Sequence, residues 1–145
     1  MSISANLPMM NSLLVDTNVL IYGLDKSSVY HQSAKYILSQ PDLLLFVTSK
    51  NISKFFAVTT KLKLPFKLCH EFYEDLKENV TVLFPTDKSL SFFEQLIRQY
   101  HPVGNQVHDV EIVSIMLSHG IEQIATFNQK DFIAIKEVKL FHTAH

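Results

Sequence analysis

Acidic and amide side chains stand at the ends of apolar segments in this sequence. Asp16 comes directly after the apolar run 13–15, and Asn128 and Asp131 follow the run 124–127. Asp109 falls in the first turn of a helical pattern that ends at Gly120. Because the carboxyl ends of parallel strands share one edge of a sheet, we expect these side chains to meet in one cleft.

Such a group of carboxylates repels itself unless protons or a cation offset the repulsion. Hard cations such as Mg²⁺ and Mn²⁺ prefer oxygen ligands, make a bound water easier to deprotonate, and stabilise charge on a phosphate oxygen. The pattern therefore suits phosphodiester hydrolysis without a Ser, Cys or His nucleophile. The predicted metal site comprises Asp16, Asp109, Asn128 and Asp131, and the predicted catalytic residues are Asp16, Asp109 and Asp131.

Simpler roles remain open for two of these acids. Asp is common immediately before a helix, and Asp16 precedes a predicted helix through 19–22 that Thr17 or Asn18 can cap. An anion in the first turn, such as Asp109, is stabilised by the helix dipole.

Zinc is a competing hypothesis for the histidines, but no Cys-x-x-Cys or His-Glu-x-x-His motif supports it. The candidate zinc ligands are two alternative pairs, His101 with His108 or His142 with His145.

Size and composition limit the possible classes of protein. A chain of 145 residues with 47% hydrophobic residues predicts one globular domain with a proper core. We expect a loose N-terminal tail over 1–12, a single domain over 13–141 and a short tail over 142–145. The single cysteine, Cys69, excludes an internal disulfide and favours a reducing, cytoplasmic setting. With three glycines, the chain has no P-loop or G-x-G-x-x-G fingerprint, and no apolar run reaches the length of a membrane span.

The elements that position these side chains alternate between strands and helices. Strands are predicted over 13–15, 43–48, 80–84 and 124–127, with a possible short edge strand over 138–141. Helices lie between them, and this alternation predicts a three-layer α/β/α sandwich on a mainly parallel sheet.

The finer predictions concern helix caps and inward faces. Ser49 is predicted to cap the helix after the second strand, and Thr86 or Asp87 the helix after the third. Leu68 and Leu90 are predicted to face inward from their helices.

Three segments together resemble a known family. They are LLVDTNVLIYGLD over 13–25, VHDVEIVSIMLSHG over 107–120 and TFNQKDF over 126–132, in this order. The chain resembles the PIN domain from about 13 to 140, and its VapC-type branch in particular, the toxins of bacterial toxin–antitoxin pairs. The resemblance implies an α/β/α fold, an Mg²⁺- or Mn²⁺-dependent ribonuclease, a homodimer, and inhibition by a small antitoxin protein.

By position, Asp16 matches the first acid of the family and Asp109 the third. The fourth falls near Asn128, with Asp131 as a neighbouring carboxylate. Thr17 and Asn18 match the polar pair that supports the first acid.

One position departs from the family pattern. In SKNISKFFAVTTK, over 49–61, Lys54 stands immediately before the aromatic pair, where the family usually has Glu. The helical period places Lys54 roughly opposite the face that packs on the sheet. An ammonium beside Asp16 or Asp109 would take the place of the cation and weaken metal binding.

Three hypotheses follow. The first is an active metal-dependent endoribonuclease whose lysine-rich stretch holds the RNA backbone. The second is a degenerate PIN domain that binds RNA or a protein partner without catalysis. The third is a protein–protein module with no role on nucleic acid, in which the lysines form only a solvated helix face. The predicted RNA-binding residues are Lys50, Lys54, Lys61 and Lys63.

Overall fold

A computed structural model describes residues 11–142 of the chain. Most of the predicted N-terminal tail and the last residues of the predicted C-terminal tail, including His145, lie outside the described residues. Within the described part, no helix is long and apolar enough to cross a membrane.

Parallel strands form the centre of the molecule, as predicted. Their order across the five-stranded sheet is β3-β2-β1-β4-β5, and every neighbouring pair is parallel. The central strand β1 pairs with β2 on one side and β4 on the other, so its carboxyl end lies in the middle of the sheet edge. The strands are β1 Ser12–Val15, β2 Leu44–Thr48, β3 Val80–Leu83, β4 Gln123–Ala125 and β5 Lys139–Leu140.

Helices cover both faces of this sheet and complete the three layers. Successive residues of β1 point to opposite faces, so Leu13 and Val15 enter one hydrophobic core and Leu14 enters the other. The helices are α1 Thr17–Leu24, α2 His31–Leu38, α3 Ser49–Lys61, α4 Phe66–Asn79, α5 Asp87–Tyr100 and α6 Gln106–Ser118, with a 3-10 turn over Gln129–Asp131. The first core includes side chains of α1 to α4, and the second includes side chains of α5 and α6.

The helix caps differ in part from the prediction. Asp16 itself is the N-cap of α1, because its side chain accepts a hydrogen bond from the backbone N–H of Thr17. Thr48, not Ser49, caps α3, since its hydroxyl oxygen accepts a hydrogen bond from the backbone N–H of Asn51. Thr86 caps α5, one of the two predicted residues.

Two inward-facing predictions are wrong. Leu68 and Leu90 are exposed, whereas Cys69 and Leu76 are the buried residues of α4 and Leu96 is the buried leucine of α5. The reason is tertiary: α4 packs on the edge strand β3 and on α3, and α5 packs chiefly on α6. A helix at the margin of a sheet has only part of its apolar face covered.

Candidate active site at the carboxyl edge of the sheet

Asp16 lies at the middle of the carboxyl edge, between β1 and α1. Its backbone N–H continues the sheet by donating to the carbonyl oxygen of Ala125 over 2.9 Å. The residue is only 5% exposed. One carboxylate oxygen accepts the N–H of Thr17 at 2.9 Å, and the other accepts the hydroxyl of Thr126 at 2.8 Å. The cap interpretation of Asp16 is thus right, but it accounts for only one of the two oxygens.

Thr126 connects several of the predicted site residues. Its hydroxyl donates to Asp16 and accepts from the side-chain amide of Asn18 at 3.1 Å and from the backbone N–H of Asn128 at 3.0 Å. The side-chain oxygen of Asn18 in turn accepts the N–H of Phe127 at 3.2 Å. These bonds join the end of β1 to the segment after β4. Our sequence prediction omitted Thr126, although it opens the segment TFNQKDF and directly follows a strand.

Asn51 performs a similar role on the other side of Asp16 and was also missed. This residue is 0% exposed, and its side-chain nitrogen donates to the hydroxyl of Thr17 at 3.1 Å. Its side-chain oxygen accepts both the N–H and the hydroxyl of Thr48, at 2.9 and 2.7 Å. The first turn of α3 is therefore tied to the first turn of α1. The available signal was a capping-box spacing, a Thr followed three residues later by an amide side chain.

Asp109 reaches the same cleft from the first turn of α6 and is 7% exposed. Burial raises the pKa of Asp109 to about 6; Lys54 opposes the rise, and the charges of Asp16 and Asp131 add to it. Burial also raises the pKa of Asp16, against the hydrogen bonds from Thr126 and Thr17 and the charge of Lys54. The fold thus brings Asp16 and Asp109 together, with Asp131 near enough for its charge to act on both.

Lys54 also enters this cleft. Its ammonium nitrogen lies 3.8 Å from a carboxylate oxygen of Asp109, and its side chain remains 40% exposed. Lys54 lies on the flank of α3, between its buried residues (Asn51, Phe55 and Thr59) and its exposed ones, and not opposite the packed face as the helical period predicted. Its partly exposed side chain bridges from α3 to α6. The residue that departs from the family pattern is therefore an ion-pair partner of a predicted metal ligand.

The remaining predicted ligands lie at the rim. Asn128 is exposed, and its side-chain amide donates a short hydrogen bond to the carboxylate of Asp131. This contact directs both side chains toward each other, so Asn128 and Asp131 form a pair beside the Asp16–Asp109 cleft. Their roles as metal ligands, and that of Asp131 in catalysis, stay predictions.

The four predicted RNA-binding lysines do not form one patch. The ammonium of Lys50 lies 3.4 Å from a carboxylate oxygen of Glu111, close to the cleft, and Lys54 lies in the cleft itself. Lys61 and Lys63 are exposed at the opposite end of α3, about 16 Å farther along the helix axis at 1.5 Å per residue. Of these four lysines, Lys50 and Lys54 lie near the cleft, and the RNA-binding role of all four stays a prediction.

The donor chemistry of the cleft suits a divalent ion that keeps most of its waters. Mg²⁺ is commonly held by one or two carboxylates together with substrate phosphates. Asp16 and Asp109 supply such a pair, and the charges of three acids outnumber the single ammonium of Lys54. Within residues 11–142, however, no group of three or more His, Cys, Asp or Glu side chains is arranged to hold a metal ion. The residues therefore fit at most a weakly held hydrated ion, with which the ammonium of Lys54 would compete.

Solved structures similar to this one support the fold, whereas the sequence comparisons found no match. No family model and no curated protein matches this chain. The VapBC2 structure from Rickettsia felis, bound to a promoter DNA fragment, aligns with a TM-score of 0.70 at 16% identity, covering 90% of this chain and 97% of that one.

Two further solved structures give the same result. Mycobacterium tuberculosis VapC20, described as a sarcin–ricin loop cleaving toxin, aligns with a TM-score of 0.68 at 18% identity, over 88% of this chain and 98% of that one. VapBC-1 from nontypeable Haemophilus influenzae aligns with a TM-score of 0.67 at 19% identity, over 90% of this chain and 96% of that one.

These alignments define the class of fold, an α/β/α sandwich of the PIN type. More particularly, the fold is that of the VapC-type PIN domain found in VapBC toxin–antitoxin structures, as the sequence resemblance implied. Because the sequence identities to these three structures are below 20%, the similarity shows the fold alone. Any activity has to be argued from the site.

Proposed function

We propose that this protein is a VapC-type ribonuclease that hydrolyses RNA phosphodiesters in the cytoplasm with the help of Mg²⁺ or Mn²⁺. The observation that carries the proposal is the meeting of Asp16 and Asp109, both buried, at the carboxyl edge of the sheet. Buried carboxylates cost free energy unless a cation or a partner satisfies them. The description of the M. tuberculosis neighbour as a sarcin–ricin loop cleaving toxin agrees with this activity.

The chain's own residues would position the reacting groups. The hydroxyl of Thr126 and the N–H of Thr17 orient the carboxylate of Asp16, and Asp109 faces it from α6. These two acids would hold the ion, which lowers the pKa of a bound water and stabilises charge on a phosphate oxygen. Lys50 is close enough to the cleft to attract an RNA phosphate.

We also infer a small antitoxin partner and a homodimer. The structural neighbours from R. felis and H. influenzae are VapBC complexes, which supports a partner of this kind. Light scattering of the purified chain measures the oligomeric state. A monomer at micromolar concentration would contradict the dimer without affecting the ribonuclease proposal.

The decisive experiment is cleavage of end-labelled RNA by the purified protein with Mn²⁺ or with EDTA. We expect cleavage only with Mn²⁺, and a loss of about 100-fold or more in Asp16→Asn, since changes to residues that merely support a metal ligand already cost about 10- to 100-fold. The matched control is Asp87→Asn, an exposed acid in the first turn of α5 and outside the cleft. No cleavage by the wild type, or equal cleavage by Asp16→Asn, contradicts the proposal.

The contact between Lys54 and Asp109 favours a second candidate function. If the ammonium stays in place, the protein would bind RNA or a protein partner without turnover. Under this hypothesis the wild type is inactive with Mn²⁺, and Lys54→Glu, which restores an acid at this position, gains activity. A Lys54→Glu protein that is folded and still inactive would show that the lysine is not the cause.

A further inference from the structure

Three aromatic rings form a compact cluster beside the cleft. The ring centroids of Tyr22 and Tyr30 lie 5.0 Å apart, those of Tyr30 and Phe127 5.0 Å, and those of Tyr22 and Phe127 5.5 Å. Phe127 directly follows Thr126, whose hydroxyl bonds to Asp16. The cluster is therefore connected to the candidate active site through one residue of backbone.

Tyr30 is the outer ring of this cluster. It is 45% exposed, whereas Tyr22 and Phe127 are half-buried beneath it. A ring that served only to fill the core would be covered by its neighbours. Tyr30 instead presents much of its surface to solvent while two other rings support it.

The backbone around Tyr30 is held in place by local hydrogen bonds. Tyr30 is the N-cap residue of α2, and its N–H donates to the hydroxyl of Ser28 at 3.0 Å. The ring of His31, the next residue, bonds to the carbonyl oxygen of Tyr22 at 2.9 Å. Asp25 accepts the N–H and the hydroxyl of Ser27 at 3.0 and 2.6 Å, which stabilises the turn before it. Binding to a surface fixed in this way loses little conformational entropy.

We propose that Tyr30, supported by Tyr22 and Phe127, stacks on an unpaired base of RNA whose backbone lies at the Asp16–Asp109 cleft. The inference rests on the proposed ribonuclease function and adds a base-contacting residue, Tyr30, outside the acid site. Unpaired bases stack on exposed aromatic side chains, whereas bases inside a duplex are already stacked on one another.

Charges of both signs lie in the two segments that carry the platform, so stacking of the rings, and not net charge, is the reason to expect an RNA base. Lys26 lies in the turn that precedes Tyr30, and Lys130 lies in the 3-10 turn that follows Phe127; both side chains are exposed. A strand with one base on Tyr30 carries a phosphate on each side of that base. Each lysine offers one contact to a phosphate, but it has an acid as its sequence neighbour, Asp25 or Asp131, so the net charge of the two turns is balanced.

The experiment is fluorescence anisotropy of a labelled ten-nucleotide RNA in EDTA, which prevents cleavage and makes the readout independent of turnover. We expect Tyr30→Ala to weaken binding about tenfold, in line with the typical worth of one stacked base, and Tyr30→Phe to bind like the wild type. The matched control is Tyr36→Ala, a tyrosine in the last turn of the same helix that is 42% exposed. It should bind within about twofold of the wild type.

A second variant protects the test against misfolding of Tyr30→Ala. The chain contains no Trp, so Tyr30→Trp introduces a single indole, whose emission should be quenched by single-stranded RNA and not by a duplex of the same sequence. Unchanged affinity of folded Tyr30→Ala, or absence of quenching in Tyr30→Trp, overturns the stacking proposal while RNA cleavage by the wild type still stands. Absence of RNA binding by the wild type in EDTA also overturns the stacking proposal, whereas the ribonuclease proposal is decided by the cleavage assay with Mn²⁺. Stacking without cleavage removes only the ribonuclease activity.

Discussion

Replacing Lys54 with methionine tests the electrostatic role of its ammonium while keeping a side chain of similar length. At the observed 3.8 Å from Asp109, the Coulomb attraction is about 4 kcal/mol for an effective dielectric near 20. Because the Lys54 side chain is 40% exposed, solvent screening reduces the net value to about 1 kcal/mol. This is the free energy that a bound divalent ion has to overcome.

The expected consequence is tighter metal binding. Removing about 1 kcal/mol of competition lowers the Kd for Mn²⁺ about fivefold, since 1.4 kcal/mol corresponds to a factor of ten. Lys54→Glu should tighten it further, because that change also adds a carboxylate ligand. Isothermal titration with Mn²⁺ measures both values without reference to catalysis.

Lys50→Met is the matched control for this prediction. Lys50 lies one turn earlier on α3, is 34% exposed, and pairs with Glu111 at 3.4 Å instead of with Asp109. We expect its Kd for Mn²⁺ to stay within about twofold of the wild type, because it is not in contact with the acid pair. Equal tightening in both variants would show a general charge effect, and no change in Lys54→Met would refute competition by the ammonium.

Two further predictions concern stability. Asn51→Ala should lower the free energy of unfolding by about 2 kcal/mol in urea titrations, because it leaves the buried hydrogen-bonding groups of Thr17 and Thr48 without a partner. The control is Asn79→Ala, which removes one exposed hydrogen bond and should lower the free energy of unfolding by less than about 0.5 kcal/mol. Because the pKa of Asp109 rises from 3.8 to about 6, the folded protein binds more protons than the unfolded chain between these values, so stability falls as pH rises through this range. Asp109→Asn should reduce this loss of stability with rising pH, by at most about 3 kcal/mol, in thermal melts with EDTA. If the dependence of stability on pH is the same in the variant and the wild type, Asp109 is not its source.

Much of the fold follows from local patterns in the sequence. Apolar runs of strand length alternate with helical periodicity, and this pattern correctly predicts the parallel α/β/α sandwich. Strand bounds differ by a few residues because pairing partners decide where a ladder ends; β4, for example, stops at Ala125 so that Thr126 can turn toward Asp16. The exposed Leu68 and Leu90 show that periodicity identifies an apolar face but not whether a neighbour covers it.

The sequence by itself determined which residue types stand at the carboxyl ends of the strands, because the order of strand, acid and helix is a local property of the chain. It therefore pointed to Asp16 after a strand, to Asp109 in the first turn of a helix, and to Lys54, and the roles of the two acids as metal ligands stay predictions. Only the tertiary structure decided that the Lys54 ammonium meets Asp109, and that Thr126 and Asn51 orient the acid site. Those contacts join residues on separate elements, and their distances depend on how helices and strands pack, which no local pattern records.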